Sequence, residues 1–96
     1  MAENTASRTV TVINPQGFHA RPAHEFVKLA GQFRAAVKIV KDNERIDGKS
    51  ILDLLTLGAG NGTKLSLQAI GEDAEAAIAA LGDLVESGFG EVEPSP

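Results

Sequence analysis

The segment from Lys64 to Ile70 reads Lys-Leu-Ser-Leu-Gln-Ala-Ile, and apolar and polar side chains alternate along it. This two-residue period predicts a β-strand with one buried face. After Glu72 and Asp73, whose negative charges suit a helix N-terminus, the apolar spacing changes to three and four and predicts a helix to about Ser87. The side chains expected to face the core from this helix are Ala74, Ala77, Ile78, Leu81, Leu84 and Val85.

Similar patterns precede this strand and helix. Arg8–Ile13 and Ala36–Lys41 alternate as strands, and Arg45–Asp47 is expected to be a short edge strand. Helices are predicted from about Pro22 to Phe33 and from Ser50 to Leu57. The order predicts an α+β fold, an open-faced sandwich in which three helices cover one face of a four-stranded antiparallel sheet. If the first strand–helix–strand unit is split, the last strand inserts between the first and second.

The composition bounds the function. The chain has 96 residues, which predicts one domain over 1–96 with an ordered core at about 8–90 and polar tails at both ends. It contains no Cys, which excludes disulfides, thiolate catalysis and Cys-ligated metals, and its two His make a multi-His metal site unexpected. We expect neither a metal nor a cofactor.

Charge and hydropathy also exclude partners. The net charge is −4 and the pI about 5.0, so no counterion release would favour binding to nucleic acid. No apolar run approaches the roughly 18–20 residues that span a bilayer, and Met1–Arg8 lacks a signal-peptide stretch. These features predict a cytoplasmic protein that binds neither nucleic acid nor a membrane.

His19 is the candidate reactive residue. It lies in the segment Gly17–Ala23, Gly-Phe-His-Ala-Arg-Pro-Ala, between a turn and a helix start. A helix start offers unpaired N–H groups and a positive dipole end, and Arg21 adds a permanent cation. Both should disfavour the imidazolium and keep a ring nitrogen available as a nucleophile for a phosphoryl group. The spacing alone is equally compatible with a polar surface histidine in a loop.

The segment Gly17–Ala23 closely resembles the active-site signature of the HPr family, the histidine-containing phosphocarrier proteins of the bacterial phosphotransferase system. Lys49–Ala59 resembles the family's regulatory-serine segment, and Ser87–Glu91 is similar to its C-terminus. The resemblance extends from about Thr9 to Glu91 and does not separate sugar-type from nitrogen-type paralogues.

This resemblance implies a function. His19 would accept a phosphoryl group on Nδ1 from phosphorylated Enzyme I, which draws on phosphoenolpyruvate, and pass it to an EIIA-type domain. Arg21 would help to hold the phosphoryl oxygens. The protein would be a monomeric carrier with a transient phosphohistidine and not an enzyme. The family's docking region implies partner contacts at Phe18, Ala20, Lys49, Ile51, Leu52 and Leu55, and burial in the core is the alternative for Phe18, Ile51, Leu52 and Leu55. Lys28, a charge on the helix that follows His19, is the candidate for steering an acidic partner.

Ser50 has two interpretations. As the N-cap of a short helix, with Asp53 completing a variant of the capping box, it needs no further role. The family implies phosphorylation of this serine by HPr kinase/phosphorylase. The alternative function is a regulatory interaction protein that is controlled at Ser50 and carries no transport flux.

The remaining candidates are given structural roles. His24 and Lys41 are expected to be solvated. Gly58–Gly62 is glycine-rich but lacks the ending of a phosphate-binding loop, which predicts a turn. Glu91–Pro96 is expected to be a frayed polar tail.

Overall fold

A computed structural model describes residues 4–91 of the protein. Its strands and helices follow one another in the order that the sequence predicts. The strands pair in the order β1-β4-β2-β3, and every neighbouring pair is antiparallel, so β4 does insert between β1 and β2. The elements are β1 (Thr5–Thr11), α1 (Ala20–Ala30), β2 (Ala36–Lys41), β3 (Glu44–Asp47), α2 (Ile51–Leu57), β4 (Lys64–Ile70), α3 (Ala74–Glu86) and a 3-10 turn (Gly88–Gly90).

One face of the sheet forms the core. The alternation in β4 is as predicted, since Leu65, Leu67 and Ala69 are buried while the residues between them are half-buried. The helices cover this face, and the stripe predicted for α3 is buried except for the half-buried Leu84. The opposite face carries mainly polar side chains, such as Lys38, Ser66 and Gln68, together with the exposed Ile70. The predicted open-faced α+β sandwich is therefore confirmed. No helix within residues 4–91 is long and apolar enough to cross a membrane.

Several element boundaries differ from the sequence prediction: β1 ends at Thr11 and not at Ile13, and β3 begins at Glu44 and not at Arg45. β1 begins at Thr5 and not at Arg8, because it pairs with β4 along its whole length, from Thr5 opposite Ile70 to Thr11 opposite Lys64. The first residues of β1 carry no large apolar side chain, so only the partner strand fixes them. α1 ends at Ala30 and is capped at Gly31, whose N–H donates to the carbonyl of Val27 at 2.9 Å.

Lys41 has a structural role that was not expected. Its Nζ donates to the carbonyl oxygens of Leu57 at 3.3 Å and Gly58 at 3.5 Å, at the C-terminal end of α2. A cation at this end satisfies carbonyls that have no partner within the helix. The prediction that Lys41 is simply solvated is wrong, because its charge ties the end of β2 to α2.

Candidate functional site

His19 occupies the position immediately before α1. It is the N-cap of the helix, with an extended backbone (φ −77°, ψ −173°), and its side chain makes no hydrogen bond to the first turn. No acidic side chain lies in that turn, and Pro22 has no N–H. Within the described residues, the N–H groups of Ala20 and Arg21 therefore remain unpaired at the positive end of the helix dipole, where they favour an anion.

Gly17 explains how the chain reaches this position. Its φ is +62°, and a Cβ there would overlap the carbonyl oxygen of Ala59. The same oxygen accepts the N–H of Phe18 at 2.9 Å. The glycine-rich segment after α2 is thus the predicted turn. It also supports the loop that presents His19.

Phe18 is a core residue. Its side chain is buried and packs against Phe26, with ring centroids 5.7 Å apart, and edge-on against Phe89 at 5.4 Å. The expectation that Phe18 contacts partners is wrong, because the ring is enclosed by these two aromatic neighbours. Phe89 has a φ of 56° and stands between Gly88 and Gly90, which also have positive φ. This tight turn leads the chain back from α3 towards α1.

Glu91 lies directly against His19. Both of its carboxylate oxygens are 3.0 Å from His19 Nε2, and Asn14 Nδ2 donates to Oε1 at 2.9 Å. The expectation that the frayed tail begins at Glu91 is wrong for this residue, and 92–96 lie outside the described residues. The lone aromatic between two glycines at Phe89 is the signal that could have indicated an anchored segment here.

The surroundings of His19 include a negative charge. The hydrogen bond from His19 holds the pKa of Glu91 below its ordinary value of 4.5, and the bond from Asn14 and the charge of Arg21 act in the same direction against the opposing effect of burial. Glu91 is therefore a carboxylate at neutral pH. The expectation from the sequence that the charged surroundings of the imidazole are positive is wrong, because the Glu91 carboxylate lies against Nε2.

Arg21 lies in the same cleft. Its side chain is 66% exposed; Nε is 3.3 Å from Glu25 Oε1 and Nη1 is 4.0 Å from Glu91 Oε2. The side chain of His19 is 35% exposed, so the ring is reachable from solvent. The cleft has a volume of about 410 Å³ and is lined by Pro15, Gln16, His19, Arg21, Gly90 and Glu91.

The short helix α2 presents an apolar surface. Ile51, Leu52 and Leu55 are 39%, 68% and 42% exposed, whereas Leu54 and Leu57 point into the core. The helix packs against α1. We call the three exposed side chains the α2 patch.

The other expected docking residues have different surroundings. Ala20 is exposed beside His19, and His24 is exposed as predicted. Lys28 is exposed in the last turn of α1, nine residues or about 14 Å along the helix axis from His19. Lys49 is half-buried, and its Nζ donates to the carbonyl of Phe33 at 2.7 Å, so its charge is held by the loop after α1.

Ser50 is the N-cap of α2, as predicted. Its Oγ accepts the N–H of Asp53 at 3.2 Å. In a complete capping box, the carboxylate of Asp53 would accept the N–H of Ser50. Here Asp53 Oδ2 instead accepts the N–H of Asp47 at 3.3 Å. The N-terminus of α2 is therefore closed by side chains.

Comparisons with known proteins agree with this geometry. The family model described as PTS HPr component phosphorylation site matches residues 6–87. Phosphocarrier protein HPr of Neisseria meningitidis serogroup A is 40% identical, covering 90% of this chain and 97% of that protein. Phosphocarrier protein NPr of Shewanella violacea is 39% identical, covering 88% of this chain and 92% of that protein. The crystal structure of HPr-C-His from Thermoanaerobacter tengcongensis superposes with a TM-score of 0.88 at 42% identity, covering 92% of this chain and 99% of that one.

The chain belongs to the HPr family of phosphocarrier proteins. Its function is that of a phosphocarrier of the phosphotransferase system, which relays phosphoryl groups and is not a catalytic enzyme.

Proposed function

We propose that His19 accepts the phosphoryl group and carries it as a transient phosphohistidine. The observation that carries this proposal is the position of a solvent-reachable imidazole at the N-cap of α1, beside unpaired N–H groups and Arg21. A phosphoryl group has several negative oxygens, and a helix start together with a guanidinium is suited to receive them.

Arg21 would hold the phosphoryl oxygens after exchanging its present partner. In the resting protein its guanidinium bonds Glu25, one turn further along α1, and it is largely exposed. An exposed pair of this kind contributes little to stability, so the guanidinium can be released at small cost. The phosphorylated ring would then be flanked by Arg21 on one side and by the N–H groups of Ala20 and Arg21 on the other.

The donor and acceptor are proposed to be Enzyme I and an EIIA-type domain, in the cytoplasm, with this protein as a monomer. The α2 patch supports docking of such transient partners, because it exposes three large apolar side chains on the helix that packs against α1. Ala20 and Lys28 are proposed to take part at the exposed surface of α1. Lys49 is proposed only as a neighbour, since its Nζ is already bonded.

The test is phosphorylation by Enzyme I and phosphoenolpyruvate, followed by intact-mass spectrometry. The wild-type protein is expected to gain one acid-labile phosphoryl group, and His19→Ala to gain none. His24→Ala is the matched control, because it removes an exposed imidazole from the same helix and is expected to be labelled normally. Full labelling of His19→Ala would refute the proposal.

A second candidate function is regulation at Ser50 by an HPr kinase/phosphorylase. The observation that favours it is the position of Ser50 at the start of α2, next to Ile51 and Leu52 of the α2 patch. A phosphate there would bring about −1.5 to −2 charges to the edge of that apolar surface and disfavour docking. Incubation with the kinase and ATP is expected to label wild type and not Ser50→Ala, and labelling of both would exclude this site.

A further inference from the structure

We propose that Glu91, held by Asn14, is a positioning residue that keeps the proton of His19 on Nε2 and leaves the lone pair of Nδ1 free to attack the phosphoryl group. This inference rests on the proposed role of His19. It adds the residues that determine which ring nitrogen reacts.

The contact between the carboxylate and the ring determines the tautomer. An ionised carboxylate only accepts hydrogen bonds, so a nitrogen 3.0 Å from both of its oxygens is favoured as an N–H donor. A neutral imidazole carries one proton. If Nε2 holds that proton against Glu91, then Nδ1 carries the lone pair, and the same bond fixes the orientation of the ring.

Asn14 holds the carboxylate in this orientation. It is fully buried, and its Nδ2 donates to Glu91 Oε1 at 2.9 Å and to the carbonyl of Gly17 at 2.7 Å. The amide cannot be turned over, because Oδ1 would then face two oxygen acceptors. Among residues 4–91 its Oδ1 has no hydrogen-bond partner. An unpaired buried acceptor costs free energy. That Asn14 is buried here in spite of this cost indicates that its role is to donate the two hydrogen bonds to Glu91 and Gly17.

Glu91 does not depend on His19 for its place. The buried ring of Phe89, two residues earlier, anchors the segment against Phe18 in the core. The carboxylate is therefore brought to the ring by the core, and removal of its charge should leave the fold in place. This separates the proposed positioning role from a purely structural one.

The transfer step balances with this arrangement. The lone pair of Nδ1 forms a bond to phosphorus as the bond between phosphorus and the donor breaks, and the electron pair of that bond returns to the donor. The proton on Nε2 does not move. The imidazole ring of His19 becomes positively charged, and Glu91 lies beside that charge, with Arg21 Nη1 4.0 Å from Glu91 Oε2. Transfer to the acceptor reverses these changes.

The tautomer can be measured without any phosphoryl donor. Two-bond ¹H–¹⁵N NMR correlations of the neutral His19 ring are expected to show Nε2–H as the main form in wild type. In Glu91→Ala the ratio of Nε2–H to Nδ1–H should fall about tenfold, the effect of losing a hydrogen bond to a charged group. Glu91→Gln keeps an acceptor oxygen and should restore most of the ratio. Glu44→Gln removes the same charge from an exposed position on β3 and should change nothing.

A second measurement follows the site of reaction. With phosphoramidate as the chemical donor, wild type should form mainly the Nδ1 product, and Glu91→Ala and Asn14→Leu should form a larger share of the Nε2 product. An unchanged tautomer ratio in Glu91→Ala, or Nδ1–H as the main form in wild type, would overturn the positioning role even if Enzyme I labels His19 normally. Failure of Enzyme I to label wild type would instead refute the proposed function and leave the tautomer result standing.

Discussion

Two helix starts in this protein have the same layout and opposite surroundings. Each N-cap, His19 for α1 and Ser50 for α2, is preceded at two residues by a tightly packed glycine. At α2 the first turn is occupied, because Ser50 Oγ accepts an N–H and Asp53 adds a carboxylate. At α1 the first turn has neither a side-chain cap nor an acidic residue.

The difference shows what an anion would meet at each start. At α1 the proposed phosphoryl group would meet unpaired N–H groups and Arg21, with the Glu91 carboxylate against Nε2 of the ring, whereas at α2 a phosphate on Ser50 would displace an existing cap bond and face Asp53. Lys49 offers no compensation in its present position, since its Nζ is bonded to the carbonyl of Phe33. The open start suits the phosphoryl-binding role proposed for His19 and Arg21, whereas the start of α2 is already closed by its cap.

The largest expected effect on stability comes from adding a side chain at Gly17, in the turn that precedes α1. Gly17→Ala would force a Cβ onto the Ala59 carbonyl at a φ of +62°, and we expect a loss of about 3 kcal/mol or more in the free energy of unfolding. Gly60→Ala is the matched control, because a Cβ there meets no heavy atom within 4 Å. Urea unfolding measures both. Equal stability of the two variants would show that the loop adapts and that Gly17 does not fix His19.

A smaller effect is expected from Arg21. Arg21→Ala should slow phosphoryl transfer from Enzyme I by about tenfold, because one charged donor to the phosphoryl oxygens is lost. Its melting temperature should stay near that of wild type, since the bond to Glu25 is exposed. Rapid-quench kinetics measure the transfer rate. An unchanged rate would show that the open helix start acts without the guanidinium.

The comparison also shows how far the sequence could predict the site. The position of His19 at a helix start follows from Pro22, which is restricted to the first turn, and the cap at Ser50 follows from its side chain. Glu91 could not be placed in this way, because its contact with His19 joins residues 72 positions apart through the packing of Phe89 on Phe18. The same limit applies to Phe18, which local sequence places beside the reactive residue and tertiary packing encloses.

Removing the N-cap of α2 is expected to cause a moderate loss of stability. Ser50→Ala should reduce the free energy of unfolding by about 1 kcal/mol, because the bond to the Asp53 N–H is lost. Ser50→Asp should keep the cap and melt near wild type, but it should bind Enzyme I more weakly, since a charge now borders the α2 patch. Thermal unfolding and calorimetric titration separate the two effects. Equal binding of Ser50→Asp and wild type would reduce Ser50 to a structural cap.

The third helix start gives the smallest expected effect and extends the comparison to a carboxylate. Asp73 is the N-cap of α3, yet its oxygens accept the N–H groups of Arg34 and Ala35 at 2.8 Å, from the loop after α1. The bond from Arg34 is the largest cause that lowers the pKa of Asp73 below its ordinary value of 3.8, with the bond from Ala35 acting alike and burial opposing. In the unfolded chain this carboxyl binds its proton at a higher pH than in the folded protein.

Its contribution to stability is therefore complete only above about pH 5, where the carboxyl is ionised in the unfolded chain as well. It is lost as the pH falls through the ordinary value of 3.8 towards the lowered pKa. Asp73→Asn should be less stable than wild type at pH 7, and the difference should shrink steadily as the pH falls below about 5. Urea unfolding across this range measures it, with Asp42→Asn, in the exposed turn between β2 and β3, as the control. If the stability difference between Asp73→Asn and wild type stays constant with pH, the negative charge of Asp73 does not contribute to its bonds with the loop after α1.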